Sequence, residues 1–463
     1  MSTGAWRAVV VGSGPAGFYT CDQLLGAGFE VDLIDLLPTP FGLVRSGVAP
    51  DHPKIKSVTR VYEKTAAKPG FRFFGGVELG CDVTRADLLE RYHAVVYAIG
   101  TADDNRLGIP GEDRPGSYPA TRFVAWYNGH PHATEEEFDL AATRAVVIGN
   151  GNVAVDVARM LVLEPDELAA TDTADHAIEV LSAAGVEEVV LLGRRGPAQA
   201  AFTNPELREL GELTRADIHV DPAELELDEN SRRWLEGEAD ATARRNVELL
   251  REFAAREPSG KSHRVTLKFL RSPVEVLGEG EDGPITGLRV VRNRIERDSE
   301  GRLRAVATEE TEEISCGLVL RSIGYRGRPV DDVPFDERRG LIRNDGGRVC
   351  DEEQRSHRGE YVVGWIKRGP SGVIGTNKKD AADTVAKIVE DAEGGKLNQP
   401  LDPSPDSAEQ WIRERVPSAV SWEGWGAIDE HERRAGEPHS RPRVKLVRLE
   451  DLIDASKSVP TSR

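Results

Sequence analysis

Gly12, Gly14 and Gly17, in the run Gly12-Ser13-Gly14-Pro15-Ala16-Gly17, are spaced so that a chain can turn sharply, press its backbone against a diphosphate and start a helix. Gly149-Asn150-Gly151-Asn152-Val153-Ala154 repeats the spacing, with Ala154 in third place. Each loop would seat a pyrophosphate on the free N–H groups and positive dipole end of a helix. The two loops differ in the charge placed downstream of them. Asp35 comes 23 residues after Gly12, where an acidic side chain takes ribose hydroxyls. In the corresponding place after the second loop stand Arg194 and Arg195, whose planar forks suit a ribose 2′-phosphate that a carboxylate would repel. The chain therefore reads as holding two different dinucleotides, the second being NADP(H).

The surrounding residues supply the elements that these loops need. Residues 8–11 and 30–34 read as strands and 16–25 as a helix, giving strand, tight turn, helix and a strand that ends in Asp35. Residues 144–148 and 188–192 read as strands of the second unit, with a helix through 156–163. Strands over 94–99 and 318–323 close the two units, and the polar stretches 104–111 and 324–328 read as crossings between them. This places one domain inside another: residues 1–106 with 325–463 as the first, and 107–324 as the inserted NADP-binding domain. Strand, glycine turn and helix occur a third time, from the strand 360–363 through Gly364-Trp365 and Gly372-Val373-Ile374 to a helix over 380–390. Such a helix, aimed at an isoalloxazine ring, stabilises the anionic reduced flavin. Residues 224–257 read as solvated helices with i to i+4 charge pairs, and the tail 399–463, with Trp411, Trp422 and Trp425, as packing back on the first domain.

Composition excludes several classes. With 463 residues and 39% apolar side chains the chain can bury two cores, and no apolar run is long enough to span a membrane. With no targeting segment read from the sequence, the expected location is cytoplasmic. A net charge of −19 argues against a broad nucleic-acid surface. Cys21, Cys81, Cys316 and Cys350 lie far apart, so no C-x-x-C pair or metal cluster is expected, and each reads as a buried small apolar residue. Electrons should then leave a bound flavin directly, with no dithiol relay.

Several segments carry a family resemblance. Pro40-Phe41-Gly42-Leu43-Val44-Arg45-Ser46-Gly47 through Asp51-His52-Pro53, the second glycine loop through Asp156 to Arg159, Arg194-Arg195-Gly196-Pro197-Ala198-Gln199 through Glu206-Leu207-Arg208, and Gly364-Trp365 through Ile374 resemble ferredoxin–NADP reductases of the adrenodoxin-reductase type, in their bacterial form. The resemblance implies an α/β fold of two Rossmann-like, three-layer dinucleotide-binding domains of glutathione-reductase type, with the NADP domain inserted into the FAD domain. It implies that FAD is held at Gly12, Gly14, Ala16, Gly17, Asp35, Leu43, Val83, Trp365, Gly372, Val373 and Ile374. At the ribose the family usually has Glu where this chain has Asp35. It further implies that NADP is held at Asn150, Gly151, Asn152, Val153, Arg194, Arg195, Glu206 and Gly372, with His52 and Glu206 beside the site of hydride transfer. No metal is implied.

The resemblance also implies a reaction: hydride from NADPH to FAD, then single electrons to a ferredoxin-type iron–sulfur protein, which can feed a cytochrome P450. Side chains would supply alignment and electrostatics more than bond chemistry. Ferredoxins are generally acidic, so docking calls for a local basic surface, and Arg232, Arg233, Arg244 and Arg245 are candidates. The alternatives are an FAD and NADPH enzyme that reduces an organic substrate or oxygen, and a nucleotide-sensing scaffold without activity.

Overall fold

The computed structural model describes residues 6–458. The chain folds as two compact units: Met1–Asp103 with Asn128–Thr134 and Gly324–Arg463, and Asp104–Tyr127 with Glu135–Ile323.

In the first unit the strands alternate in a way that buries both faces of a sheet. Ala8, Val10, Val31, Leu33, Phe73, Ala94 and Val96 enter one core, while Val9, Val11, Ile34, Phe74, Val95 and Tyr97 enter another. Apolar residues on both faces of parallel strands demand cover on both sides. The sheet has seven strands in the order Asn344–Asp345, Arg348–Cys350, Ser356–Val362, Ala94–Tyr97, Arg7–Val11, Glu30–Asp35 and Phe71–Gly75. The last five run parallel, so their carboxyl ends, where the glycine loop leaves Val11, share one edge. The helices Pro15–Gly26 and Thr376–Glu393 pack together over one face.

The tail packs on both faces, with Ala408, Ile412 and Val416 in the second core. Val420 exchanges backbone bonds with Gly75, and Trp425, Ile428 and Leu452 join the core of Phe18, Phe41 and Tyr62. Trp422 meets Phe18, Phe41, Phe71 and Phe73 edge-on, and Trp411 lies under the guanidiniums of Arg91 and Arg415. The anchor is Glu432, whose fully buried carboxylate binds Arg45 at 2.5 Å and Arg443 at 2.9 Å. Burial pushes its pKa up, but the two guanidiniums outweigh burial and hold it below the usual carboxylate range. Glu432→Ala would leave Arg45 without its carboxylate and Arg443 with Asp429 alone, and should cost about 3 kcal/mol, read as a lowered unfolding midpoint. An unchanged midpoint would show that the tail is held by apolar packing alone.

The second unit is built on a six-stranded parallel sheet, in the order Ser117–Pro119, Leu318–Arg321, Arg144–Ile148, Glu188–Leu192, His263–Lys268 and Ala216–Val220. Val146, Ile148, Val190, Leu192 and Val319 pack against Val276, Leu288, Val290 and Ile314 of a three-stranded antiparallel sheet. The helix at the second loop spans Asn152–Met160, earlier at both ends than the sequence pattern indicated. Gly151 caps it directly, and the chain must be extended at Glu164 to admit Pro165 as the start of the next helix.

A single uninterrupted insertion is not what the chain makes. The crossings fall at 103/104 and 323/324, and Asn128–Thr134 packs with the first unit. It does so because the buried Lys445 Nζ donates to the Asn128 carbonyl at 3.0 Å and to its Oδ1 at 3.3 Å. In this segment His130 Nδ1 accepts from the His132 N–H, which requires a neutral ring. Burial, with His132 and Arg45 nearby, pulls the His130 pKa down to about 4. Neutral His130 therefore contributes stability that is full above the unfolded value near 6.5 and is lost as pH falls through 4. His130→Asn should flatten the acid side of the stability profile over that window, and an unaltered profile would contradict this.

Candidate functional site

The first loop shows which of its glycines the fold needs and which it does not. Gly12 has φ +107°, and a Cβ there would lie 2.5 Å from the Ala98 carbonyl oxygen; one on Gly17 would lie 1.9 Å from that of Gly12. A Cβ on Gly14 would meet no protein atom within 4 Å. The space beside Gly14, at the first turn of Pro15–Gly26, is thus open while the loop around it is closed. Gly14 caps that helix without a side-chain bond, leaving first-turn N–H groups with no intrahelical acceptor.

Other segments of this unit border the same loop. The Phe41 N–H donates to the Ser13 carbonyl, and a Cβ on Gly42 would lie 3.0 Å from Gly14 Cα, so Leu43, 40% exposed, follows beside the loop. A Cβ on Gly364 would lie 2.6 Å from that of Ala16, which brings Trp365, in ring contact with Tyr325, to the same place. Beyond it, Gly372 is exposed with φ +84°, Val373 is 60% exposed, and Ile374 leans on the core. The Thr101 hydroxyl, just past the strand Ala94–Tyr97, is buried without a hydrogen-bond partner. An open backbone cradle, exposed aliphatic groups and an orphaned hydroxyl fit a large dinucleotide with an apolar ring system, as FAD is.

Asp35, read from its spacing, and Val83 and His52, implied by the resemblance, each have a definite setting. Asp35 Oδ2 accepts from the Ser13 N–H at 2.7 Å and Oγ at 2.6 Å, and Oδ1 from the Leu37 N–H at 2.9 Å. Its carboxylate therefore pins the loop as well as offering a remaining lone pair outward. Burial raises its pKa, against those three bonds. Val83 is fully buried, with its N–H and carbonyl engaged to Glu78 and Gly80, leaving one carbonyl lone pair for a ligand. His52 is 7% exposed and caps the short helix Pro53–Lys56 by backbone alone.

The second unit repeats the open loop. Gly149 has φ +141° and a Cβ would meet the Ser322 carbonyl oxygen at 2.2 Å, whereas one on Gly151 would meet nothing within 4 Å. The Asn150 carbonyl accepts from the Ala201 N–H and Asn152 Oδ1 from the Thr203 N–H, tying the loop to the segment after Arg195. Val153, partly buried, opens the helix. Arg194 is exposed and Arg195 half-buried, and neither guanidinium forms an ion pair with any described residue. Burial and the neighbouring Arg194 lower the pKa of Arg195, so this is a charge pair held together without a counter-ion. Asn150 Nδ2 and Glu206 Oε2 are buried without partners. Unpaired guanidiniums, an open glycine loop and orphaned polar atoms together fit a phosphorylated nucleotide such as NADP.

Gln199 was not assigned a role from the sequence. It is 7% exposed, its Oε1 has no partner, and with Arg195, Phe202, Thr203 and Trp234 it lines a groove of about 760 Å³. Its place in the segment Gly196 to Thr203 was the only signal. Among the cysteines, Cys21, Cys316 and Cys350 are buried with thiol pKa values raised by burial, that of Cys316 to about 12. Cys81 departs from the expectation and is exposed, in the polar turn after Gly80. Among the described residues all four are free, no group of three metal-ligating side chains occurs, and no helix is long and apolar enough to cross a membrane.

The family model for pyridine nucleotide-disulphide oxidoreductases matches residues 6–209. The chain is 49% identical over 454 residues to NADPH-ferredoxin reductase FprA of Mycobacterium leprae, covering 96% of this chain and 97% of the relative. It is 41% identical over 466 residues to the mitochondrial NADPH:adrenodoxin oxidoreductase of Arabidopsis thaliana, covering 96% and 94%. The chain belongs to the adrenodoxin-reductase type of ferredoxin–NADP reductases. The solved structure of Mycobacterium tuberculosis FprA in complex with NADPH matches it with a TM-score of 0.91 at 48% identity, covering 98% of this chain and all of that one. The two-unit α/β dinucleotide-binding architecture is thus that of the family, and its dispersed cysteines leave no pair for disulfide chemistry.

Proposed function

We propose that the chain is an FAD-dependent NADPH–ferredoxin oxidoreductase, with FAD on the first unit and NADP(H) on the second. The observation that carries this reading is the pair Arg194 and Arg195, unpaired in a chain whose acidic residues outnumber its basic ones by 79 to 60. When bound, FAD accepts a hydride from NADPH and releases the two electrons singly, which matches an iron–sulfur acceptor. The chain's own part is to hold the partners. Gly12 and Gly17 fix the first loop and Gly14 leaves room for the FAD pyrophosphate; Asp35 orients that loop and its ribose. Leu43, Trp365, Val373 and Ile374 would give the ring system an apolar seat, and the exposed backbone at Gly372 is free to take part in binding, as the family resemblance implies for both nucleotides. On the second unit Asn150 to Val153 seat the NADP pyrophosphate, Arg194 and Arg195 clasp its 2′-phosphate, and the free Glu206 Oε2 accepts a hydrogen bond near the nicotinamide. His52 serves beside the flavin. The reading extends to a cytoplasmic enzyme whose ferredoxin feeds a cytochrome P450.

Steady-state turnover tests it. NADPH-dependent reduction of cytochrome c should depend on added ferredoxin and be weak with NADH. Turnover of an organic substrate or oxygen that outpaces every ferredoxin would favour the alternative enzyme.

A further inference from the structure

Three of the four arginines first considered for docking are held in local ion pairs. Arg232 and Arg233 both pair with Glu229, Arg245 pairs with Glu248 and Glu252, and Arg244 Nε donates to the Leu235 carbonyl. The ion pairs are local to the helices Glu229–Gly237 and Ala241–Ala254, which lowers the charge that Arg232, Arg233 and Arg245 present.

A different stretch, in the first unit, keeps its charge. Lys54, on the helix Pro53–Lys56, and Arg60 and Lys64, one turn apart on Thr59–Ala66, are exposed and form no ion pair with any described residue. Lys56 lies between them in sequence and reaches toward Asn128 Oδ1. The acidic residues of the stretch are Glu63, exposed on the same helix, and Asp51, half-buried before His52; Asp22, on the neighbouring helix, is taken by Lys68. The balance is basic in a chain of net charge −19.

Apolar side chains are exposed in the same stretch. Ile55 is 39% exposed and Val61 46%, although the helix Thr59–Ala66 buries Tyr62 and Thr65 on its other side, so packing gives Val61 no reason to be apolar. Single exposed aliphatic groups are ordinary; these two sit among three unpaired cations, and the adjoining helix Leu43–Ser46, packed on Pro53–Lys56, adds Leu43. An apolar centre ringed by one sign of charge is the make-up of a docking patch that steers its partner electrostatically. Leu43, assigned above to the flavin, borders it, and the buried His52, assigned there too, directly precedes the helix that carries Lys54.

Resting on the oxidoreductase reading above, we propose that the surface made by Lys54, Arg60 and Lys64 around Ile55 and Val61 docks the acidic iron–sulfur protein that takes electrons from the flavin. It does not hold the nucleotide, so its loss separates docking from hydride entry.

The test uses the full-length holoenzyme and a purified acidic two-iron ferredoxin. The triple variant Lys54→Glu, Arg60→Glu, Lys64→Glu should reduce ferricyanide with NADPH at the wild-type rate. Its KM for ferredoxin at low salt should rise about tenfold or more, and the steep salt dependence of the wild type should flatten. Ile55→Ser with Val61→Ser should raise that KM several-fold with the salt slope retained. Arg232→Glu, Arg233→Glu, Arg245→Glu should change it less than about twofold, as neutralised surface charges do. An unaltered KM in the first triple, or a larger loss in the second, overturns the proposal. So does binding to anionic phospholipid vesicles that the first triple abolishes while ferredoxin turnover stays intact, since the patch then serves a membrane. A wild-type enzyme that reduces ferricyanide but no ferredoxin overturns the acceptor reading itself, which is a different failure.

Discussion

Replacing Arg194 and Arg195 together with Gln raises the KM for NADPH about a hundredfold and leaves that for NADH nearly unchanged. Each charge-assisted contact to a 2′-phosphate is worth roughly 1.5–3 kcal/mol, and the low end is appropriate where salt reaches an exposed Arg194. Two such contacts give about 3 kcal/mol, or about two decades in affinity. Arg195, half-buried, should account for the larger share. Because Arg194 and Arg195 repel each other, removing either relieves the one that remains, so each single loss should be blunted and the double loss should exceed the sum of the single ones. NADH has no 2′-phosphate and meets no penalty. Equal losses for both nucleotides would mean that the pair is merely solvated and the second loop holds something else.

Gly14→Val and Gly17→Ala should fail in opposite ways. A Cβ at Gly14 meets no protein atom within 4 Å, so the apoprotein should unfold close to the wild-type midpoint while FAD content drops to near zero, because the added carbons occupy the pyrophosphate's space. At Gly17 the Cβ falls 1.9 Å from the Gly12 carbonyl oxygen, which forces the helix Pro15–Gly26 off the loop. That change should cost about 3 kcal/mol or more in apoprotein stability before any cofactor is considered. Flavin content and thermal unfolding of the apoproteins separate the two. Full FAD occupancy in Gly14→Val would remove the pyrophosphate from this loop.

The two variants also show what could be read in advance. The glycine spacing and the flanking strands are local patterns, so both loops, the strands Arg144–Ile148 and Glu188–Leu192, and the apolar tail tryptophans were visible in the residues. The hidden features depend on residues far apart in sequence. Nothing near Asn128 announces that Lys445, 317 positions away, will hold it in the first unit. Asp35 was expected to face a ribose, yet Ser13 claims one of its oxygens, a use that only the folded loop reveals. Val83 lies deeper than its assigned role suggested, and Cys81 is exposed because the turn after Gly80 carries it outward. The docking arginines show the reverse: the local charge pairs read from residues 224–257 form at Arg232, Arg233 and Arg245, and that same pairing weakens these arginines as a docking surface.

Two dinucleotides on two units, with hydride entering through one and single electrons leaving from the other, is the central claim. Anaerobic titration of the holoenzyme with NADPH, followed by oxidised ferredoxin, tests it in one cuvette. The account predicts that one equivalent of NADPH bleaches the bound flavin, that NADH does so poorly, and that the colour returns as two equivalents of ferredoxin are reduced. A flavin that stays oxidised with NADPH, or one that bleaches and then passes nothing to any iron–sulfur protein, would contradict it.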